Sequence, residues 1–385
     1  MKILFVTATP LEYSSSANIR NIALIKGLIN NNNEVYTLSY CPEKDSAYYN
    51  SKLIEGINFK NRYFIPLSKL HTRFTTKNEG KKSIKRKVKS FVYKIYTTFK
   101  IYDSRKDIVK RIGNIELDEK FDLLISSSDP KSSHLLAKKI LEKRPDLAKR
   151  WIQYWGDPFL MDINRKSKMP KIIIKETEKR LLKSCDKVIY VSPFTLKEQR
   201  NIYSDLSYKL FFLPIPYLKE KNYFATKNKV VEVGYFGDYY STDRNILPLY
   251  NVIKNSKMKL TICGNSNIEL EKTKNVEIYS RQPIERVEEI EKITDILICI
   301  CNRRGTQIPG KIYHYAATNK PILIILDGDR KKELREYLES FNRYKLCENT
   351  EQDILKAIKD ISNENVEYKP LSLLSSEKIA KEFIK

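Results

Sequence analysis

The sequence predicts an α/β protein built from two doubly wound domains that face each other across a cleft. Three observations carry this reading. Short apolar, β-rich runs alternate with stretches whose apolar positions recur at helical spacing, as in parallel sheets covered by helices on both faces. The alternation breaks once, at the proline-marked stretch "LPIPYLKEKNYFATKNK", and then restarts. With 385 residues, 41% of them hydrophobic, the chain can also bury two cores of ordinary size.

The first domain is expected over residues 1–216. Its strands are expected at Ile3–Thr7, Glu34–Ser39, Asp122–Ile125, Trp151–Tyr154, Val188–Val191 and Phe211–Leu213. Helical spacing covers Ala17–Asn30, Ser132–Glu142, Lys171–Lys183 and Thr195–Tyr203, and Asn30–Asn33 is a polar helix stop. "MKILFVTATP" reads as a buried first strand and not as a signal peptide, because its apolar stretch is short and no small-residue cleavage site follows. Residues 217–229 are expected as a linker. The second domain, 230–368, alternates strand Val231–Phe236, helix Asn245–Asn255, strand Lys259–Cys263, helix Pro283–Ile293, strand Ile296–Cys301, a further helix, and strand Ile322–Ile325. Residues 369–385 are expected as a C-terminal helix that packs back on the first domain.

The net charge of +24 calls for a polyanionic partner: nucleic acid, anionic lipid or a phosphorylated substrate. Residues 77–111 hold 13 Lys/Arg against three acidic residues, so this segment alone carries +10. Within it, Ile84, Val88, Phe91, Ile95, Phe99 and Tyr102 recur at spacings of three and four, with lysines beside them. That pattern suits an amphipathic helix over 81–102 lying on an anionic membrane surface; a helix packed on its own domain is the alternative. No apolar run reaches the roughly 18 residues of a membrane span. The six cysteines contain no C-x-x-C pair and read as reduced core thiols of a cytosolic protein. With three histidines in the chain, no metal site is expected.

The stretch "RRGTQIPGKIYHYAATNKPIL" follows one apolar run and ends in another, and holds no acidic residue between Arg303 and Ile325. A turn at a strand's carboxyl end, rich in cations and opening a helix, suits a phosphate. An ordinary strand-to-helix turn on a basic protein is the plainer alternative.

Four segments resemble the large retaining nucleotide-sugar glycosyltransferase family of GT-B fold, the group 1 or family 4-like enzymes: "MKILFVTATPLEYSSSANIRNIALIKGLINNNNEV", "ISSSDPKSSHLLAKKI" with "RWIQYWGDPF", "VGYFGDYYSTDRNI", and "PGKIYHYAATNKPI". The resemblance spans nearly the whole chain and implies two Rossmann-like domains, the first binding the acceptor and the second a nucleotide-sugar donor. It also implies retention of anomeric configuration.

Arg244 matches the family's basic position after "GYFG" and, with Lys311 and Gly310, is a candidate for holding the donor diphosphate. The family's pair of glutamates falls on Thr306 and His314, and an imidazole can serve ribose hydroxyls in the place of a carboxylate. The family's Gly-Gly is Ser15-Ser16, which narrows how closely the backbone approaches a phosphate. Ser16 and Arg20 are candidates for the leaving phosphate or the acceptor. Asp157, in "YWGDPF", is a candidate acceptor-side base, or else a turn-forming Asp-Pro; His134, at the start of a helix after "SSSDPKSS", matches the family's histidine and is a second candidate for an acceptor-side catalytic role.

These expectations describe a metal- and cofactor-independent enzyme that moves a sugar to a lipid-linked or polysaccharide acceptor, peripherally bound at the inner face of a bacterial membrane. Two other classes stay open: a non-catalytic partner that keeps the fold, and a nucleic-acid binder. The second lacks any known nucleic-acid module.

Overall fold

The computed structural model describes residues 1–66, 98–165, 167–224 and 230–385. The chain divides into two compact units. The first comprises Met1–Pro214 together with Ile379–Lys385, and the second Ile215–Lys378.

In the first unit seven strands form one sheet: β1 (Lys2–Val6), β2 (Glu34–Tyr40), β3 (Asn61–Ile65), β4 (Leu123–Ser127), β5 (Trp151–Trp155), β6 (Lys187–Tyr190) and β7 (Leu210–Phe212). Their order is β3-β2-β1-β4-β5-β6-β7, and every pairing is parallel. The order reverses between β1 and β4, the place where sheets of this kind bind ligands. Residues of β4 and β5 are buried without alternation, because helices cover both faces. These helices are α1 (Ser16–Asn30), α2 (Ser132–Lys143), α3 (Lys171–Lys183) and α4 (Pro193–Ile202). Ser15 caps α1 by accepting a hydrogen bond from the Asn18 N–H. The asparagine stop works as read: Asn32 takes the left-handed conformation and Asn33 Nδ2 donates to Leu28 O.

The second unit holds six parallel strands: β8 (Glu232–Phe236), β9 (Lys259–Cys263), β10 (Val276–Tyr279), β11 (Ile296–Ile300), β12 (Ile322–Leu326) and β13 (Lys345–Glu348). Their order is β10-β9-β8-β11-β12-β13, with the reversal between β8 and β11. Its helices are α5 (Leu247–Lys254), α6 (Ile284–Ile293), α7 (Lys311–Tyr315), α8 (Lys331–Glu339) and α9 (Glu351–Asn363). A last helix, α10 (Ser376–Phe383), carries the chain from the second unit back into the first. There Phe383 is fully buried, edge-on to Tyr154 at 5.1 Å.

Some expectations are corrected. Residues 217–224 of the expected linker lie in the second unit: Tyr217 and Lys221 donate their N–H groups to Leu374 O and Ala317 O, and Lys221 pairs with Glu288 and Glu291. The basic segment lies outside the described residues over 77–97. Of its apolar stripe, Phe99 is 50% exposed, whereas Tyr102 is buried against Phe159 at 5.1 Å and does not face outward. Five of the six cysteines are buried, Cys41 is exposed, and none forms a disulfide. Among the described residues no helix is long and apolar enough to cross a membrane.

Candidate active site

In the first unit the turns after β1, β4 and β5 meet at the reversal point. Ser133, at the start of α2, accepts the Ala8 N–H at 2.9 Å and donates to Pro130 O at 2.7 Å, tying the β1 and β4 turns together. Arg20 comes in from α1. Its guanidinium donates to Ser127 Oγ at 3.2 Å and to Ser128 O, lies 4.7 Å from the Tyr154 ring centroid, and packs against Gly156. Arg20 is buried and its Nε has no hydrogen-bond partner. Ser16, also expected here, is exposed on the first turn of α1.

Lys131 organises the acidic groups. Its Nζ lies 3.0 Å from Asp129 Oδ1 and 2.6 Å from Asp162 Oδ2. Burial opposes its charge, but Asp129, Asp162 and Asp157 outweigh burial and hold the ammonium firmly protonated. Asp157 follows β5 and is half-buried. Burial, then the negative charges of Asp129 and Asp162, push its carboxyl up to about 7, against the pull of Lys131 and Arg20. A carboxylate in that range is suited to taking a proton near neutral pH.

His134 is placed differently from its expected acceptor-side role. Its ring is fully buried, stacked on Trp155 at 4.2 Å, with Nδ1 hydrogen-bonded to Ser126 Oγ at 2.8 Å. Trp151 Nε1 donates to the same Ser126 oxygen. Burial, with Lys131 and Arg20 nearby, keeps the imidazole neutral. It belongs to the core beneath the turns and presents no surface to a ligand.

One residue that no motif announced holds the Asp157 loop. Glu178 on α3 is buried and accepts the N–H groups of Phe159 and Leu160 at 2.8 and 3.1 Å, and the Tyr203 hydroxyl at 2.9 Å. Its only sequence signal is a carboxylate on the buried face of an amphipathic helix.

In the second unit the turns after β8, β11 and β12 converge at the other reversal point. Arg244 Nε donates to Asn302 Oδ1 and its NH1 to Asp238 O, both at 2.9 Å; Asn302 Nδ2 in turn donates to Gln307 O. Arg244 therefore ties the β8 turn to the β11 turn. Arg303 and Arg304, prominent in the sequence, are exposed and engaged elsewhere. Arg304 pairs with Asp243, and Arg303 reaches Asp327 and Ser241 O.

Lys311 is different. Among the described residues it has no carboxylate within ion-pair distance, and its Nζ lies 5.6 Å from the Tyr315 ring centroid. Burial, helped by Lys221 and opposed by Glu291, lowers its proton affinity. A half-buried cation with no local counter-ion is an open position for an anion. His314 lies on the same side of α7. Its pKa falls to about 3 through burial and then the charges of Lys311 and Lys221, so the ring is neutral at any physiological pH.

Thr306 is buried, and its N–H donates to Gln307 Oε1. Gly310 caps α7 at φ −60°, and a Cβ there would make only ordinary contacts, so its glycine is not a conformational necessity. Gly328 is one: its φ is +77° and a Cβ would strike the Arg303 carbonyl.

Similarity to known proteins is confined to structure. No protein-family model and no curated protein matches the sequence. Among solved structures, the chain superposes on a TarM mutant from S. aureus in complex with fondaparinux, α-GlcNAc-glycerol and UDP, with a TM-score of 0.58 at 11% identity. That match covers 100% of this chain and 96% of the other. The chain has the GT-B fold. The catalytic domain of starch synthase IV from Arabidopsis thaliana, bound to ADP and acarbose, agrees: TM-score 0.58 at 9% identity, with coverage of 98% and 94%. A sucrose-phosphate synthase from Thermosynechococcus elongatus gives 0.53 at 13% identity, with coverage of 100% and 94%.

The Lys311 position stands at the carboxyl ends of β8 and β11, and the Asp157–Lys131 cluster at those of β4 and β5.

Proposed function

We propose that this chain is a glycosyltransferase that moves a sugar from a nucleotide-diphosphate sugar to a lipid-linked or polysaccharide acceptor in bacterial cell-surface glycan synthesis. The observation that carries this is Lys311. A desolvated lysine without a carboxylate partner, beside a neutral His314, stands at the switch point of the second Rossmann-like sheet. Solved structures of the same fold carry UDP or ADP.

In this reading the second unit holds the donor. Lys311 and the Arg244-braced turns stabilise the negative charge that grows on the diphosphate as the bond from the sugar's anomeric carbon to phosphate oxygen breaks. His314, neutral, serves the ribose hydroxyls. The acceptor hydroxyl forms the new bond to the anomeric carbon and gives its proton to the Asp157 carboxylate, while the nucleoside diphosphate leaves with the bonding electrons. Two fixed cations offset the diphosphate charge, so the chemistry asks for no metal. The family resemblance implies retention of configuration, which requires the acceptor hydroxyl to approach the anomeric carbon from the same face that the diphosphate leaves.

Lys311→Ala is expected to weaken nucleoside-diphosphate binding by at least about tenfold, the worth of one charge-assisted contact. Isothermal titration reads this directly, and an unchanged dissociation constant would remove the donor assignment. Lys311 is the cleaner test, because Arg244→Ala would also free Asn302 and the turn it braces.

The acceptor side is proposed to lie at an anionic membrane surface on the cytoplasmic side, reached through the basic, apolar-striped sequence 81–102. Replacing Lys81, Lys82, Lys85 and Arg86 with glutamine is expected to release the protein from anionic vesicles, at roughly 1 kcal/mol for each basic residue near the surface. Sedimentation that stays the same for the variant, or that is equal with neutral vesicles, would count against it.

A further inference from the structure

Arg105 lies in a 3-10 stretch, Ser104–Asn114, of the first unit, and its N–H donates to Asp103 Oδ1 at 2.9 Å. The same Asp103 carboxylate accepts the Ser132 hydroxyl at 2.7 Å and the Ser132 N–H at 3.0 Å. Arg105 is thereby fixed beside the start of α2 and the turn after β4. Its guanidinium carbon sits 4.4 Å from the ring centroid of Tyr40, the last residue of β2. Tyr13, from the turn after β1, stands edge-on to Tyr40 at 5.9 Å. The guanidinium thus stands over the carboxyl ends of β1 and β2, next to the point where strand order reverses.

Two features there are unanswered by the protein. Arg105 is half-buried, yet among the described residues no carboxylate lies within ion-pair distance of it. Asp103, two residues away, is already committed to Ser132 and to the Arg105 N–H. Burial lowers the proton affinity of the guanidinium, as expected for a cation short of counter-charge. The Tyr40 hydroxyl is also buried without a hydrogen-bond partner. The guanidinium lies over the Tyr40 ring and makes no side-chain hydrogen bond among the described residues, so its N–H groups are open to a phosphate, which a guanidinium can take by two parallel hydrogen bonds.

We propose that Arg105, held over the Tyr40 ring, binds a phosphate group of the acceptor, so that the acceptor is a phosphorylated molecule. The proposal rests on the glycosyltransferase reading and narrows it: a neutral glycan end would leave Arg105 without its counter-charge. A lipid phosphate and a water-soluble polyol phosphate present the same chemistry here.

The experiment uses the full chain in a Lys311→Ala background, which removes the donor-side phosphate contact. Binding of farnesyl phosphate in detergent and of glycerol phosphate in buffer is titrated against this protein and against the same background carrying Arg105→Gln or Arg105→Lys. The expected result is binding of at least one probe, weakened by about tenfold or more in Arg105→Gln and less in Arg105→Lys, with melting temperatures unchanged. Binding of farnesyl phosphate alone assigns a lipid acceptor, and binding of glycerol phosphate alone a polyol one. Equal affinity in the background and Arg105→Gln proteins, or no binding of either probe, overturns the proposal. Should Arg105→Gln melt early, Arg105→Lys decides: affinity equal to that of the background protein also overturns it. Nucleoside-diphosphate binding by the protein with Lys311 intact tests the glycosyltransferase reading separately, so each can fail alone.

Discussion

Asp157→Asn is expected to lower turnover by about 10²–10⁴-fold, the worth of a positioned general base, while leaving donor affinity unchanged. The amide keeps the size of the carboxyl and cannot accept the proton of the acceptor hydroxyl. The pH profile gives a second reading of the same group. With its carboxyl pushed up to about 7 from an ordinary 3.8, Asp157 is a base only when ionised, so turnover should climb as pH rises through about 7 and the variant should lose that limb. The stability sign is opposite. A carboxyl whose pKa is raised by folding stabilises the native state in its protonated form, fully so below about 4. That contribution disappears as pH rises through 7. Asp157→Asn should accordingly be as stable as the parent, or more so, above pH 7, which separates lost chemistry from lost folding. A variant whose fall in rate is matched by its fall in donor affinity would exclude the base role.

Glu178→Ala is expected to cost about 2–5 kcal/mol of stability, because it leaves the buried N–H groups of Phe159 and Leu160 without acceptors. Tyr203 loses less, since its hydroxyl also reaches Lys175 O. The two amides begin one residue beyond the Asp157-Pro158 turn, so their release should also loosen Asp157 and lower kcat in the fraction that stays folded. Glu178→Gln keeps one acceptor oxygen and should fall between the two. Urea unfolding measures the cost. A midpoint for the alanine variant indistinguishable from the parent's would mean that water replaces the carboxylate and that Glu178 does not position the loop.

How much of this was legible in the sequence depended on where each residue sits in its sheet. The central strands β1, β4, β5, β8, β11 and β12 were readable because burial on both faces demands unbroken apolar runs such as "ILICI". β3, β10 and β13 were not expected, and all three are edge strands. "NRYFI" in β3 buries only Ile65, so its composition does not distinguish it from a loop.

At the site, motif spacing located the turns but not the partnerships within them. Lys131 meets Asp162 across 31 residues, and Arg304 meets Asp243 across 61, and no local pattern encodes either pairing. His134 was placed at the acceptor because it opens a helix after a strand end. Trp155, on the neighbouring strand, stacks on it and draws it into the core. Lys311 stood out in advance because no acidic residue accompanies it locally, and the folded chain brings no carboxylate into ion-pair contact with it from elsewhere among the described residues.

The return of Ile379–Lys385 to the first unit has a consequence for the order of events at the ribosome. The second unit is one continuous stretch, Ile215–Lys378, and can close as soon as it emerges. The first unit emerges before it, yet waits for a residue made after it. Until Phe383 is translated, the site beside Tyr154 where that ring is fully buried stays unfilled, and Tyr154 is the aromatic face on which Arg20 rests. The unit begun before the other is therefore closed after it, and the surroundings of Arg20 are completed only once the whole of Ile215–Lys378 and then Phe383 have been made.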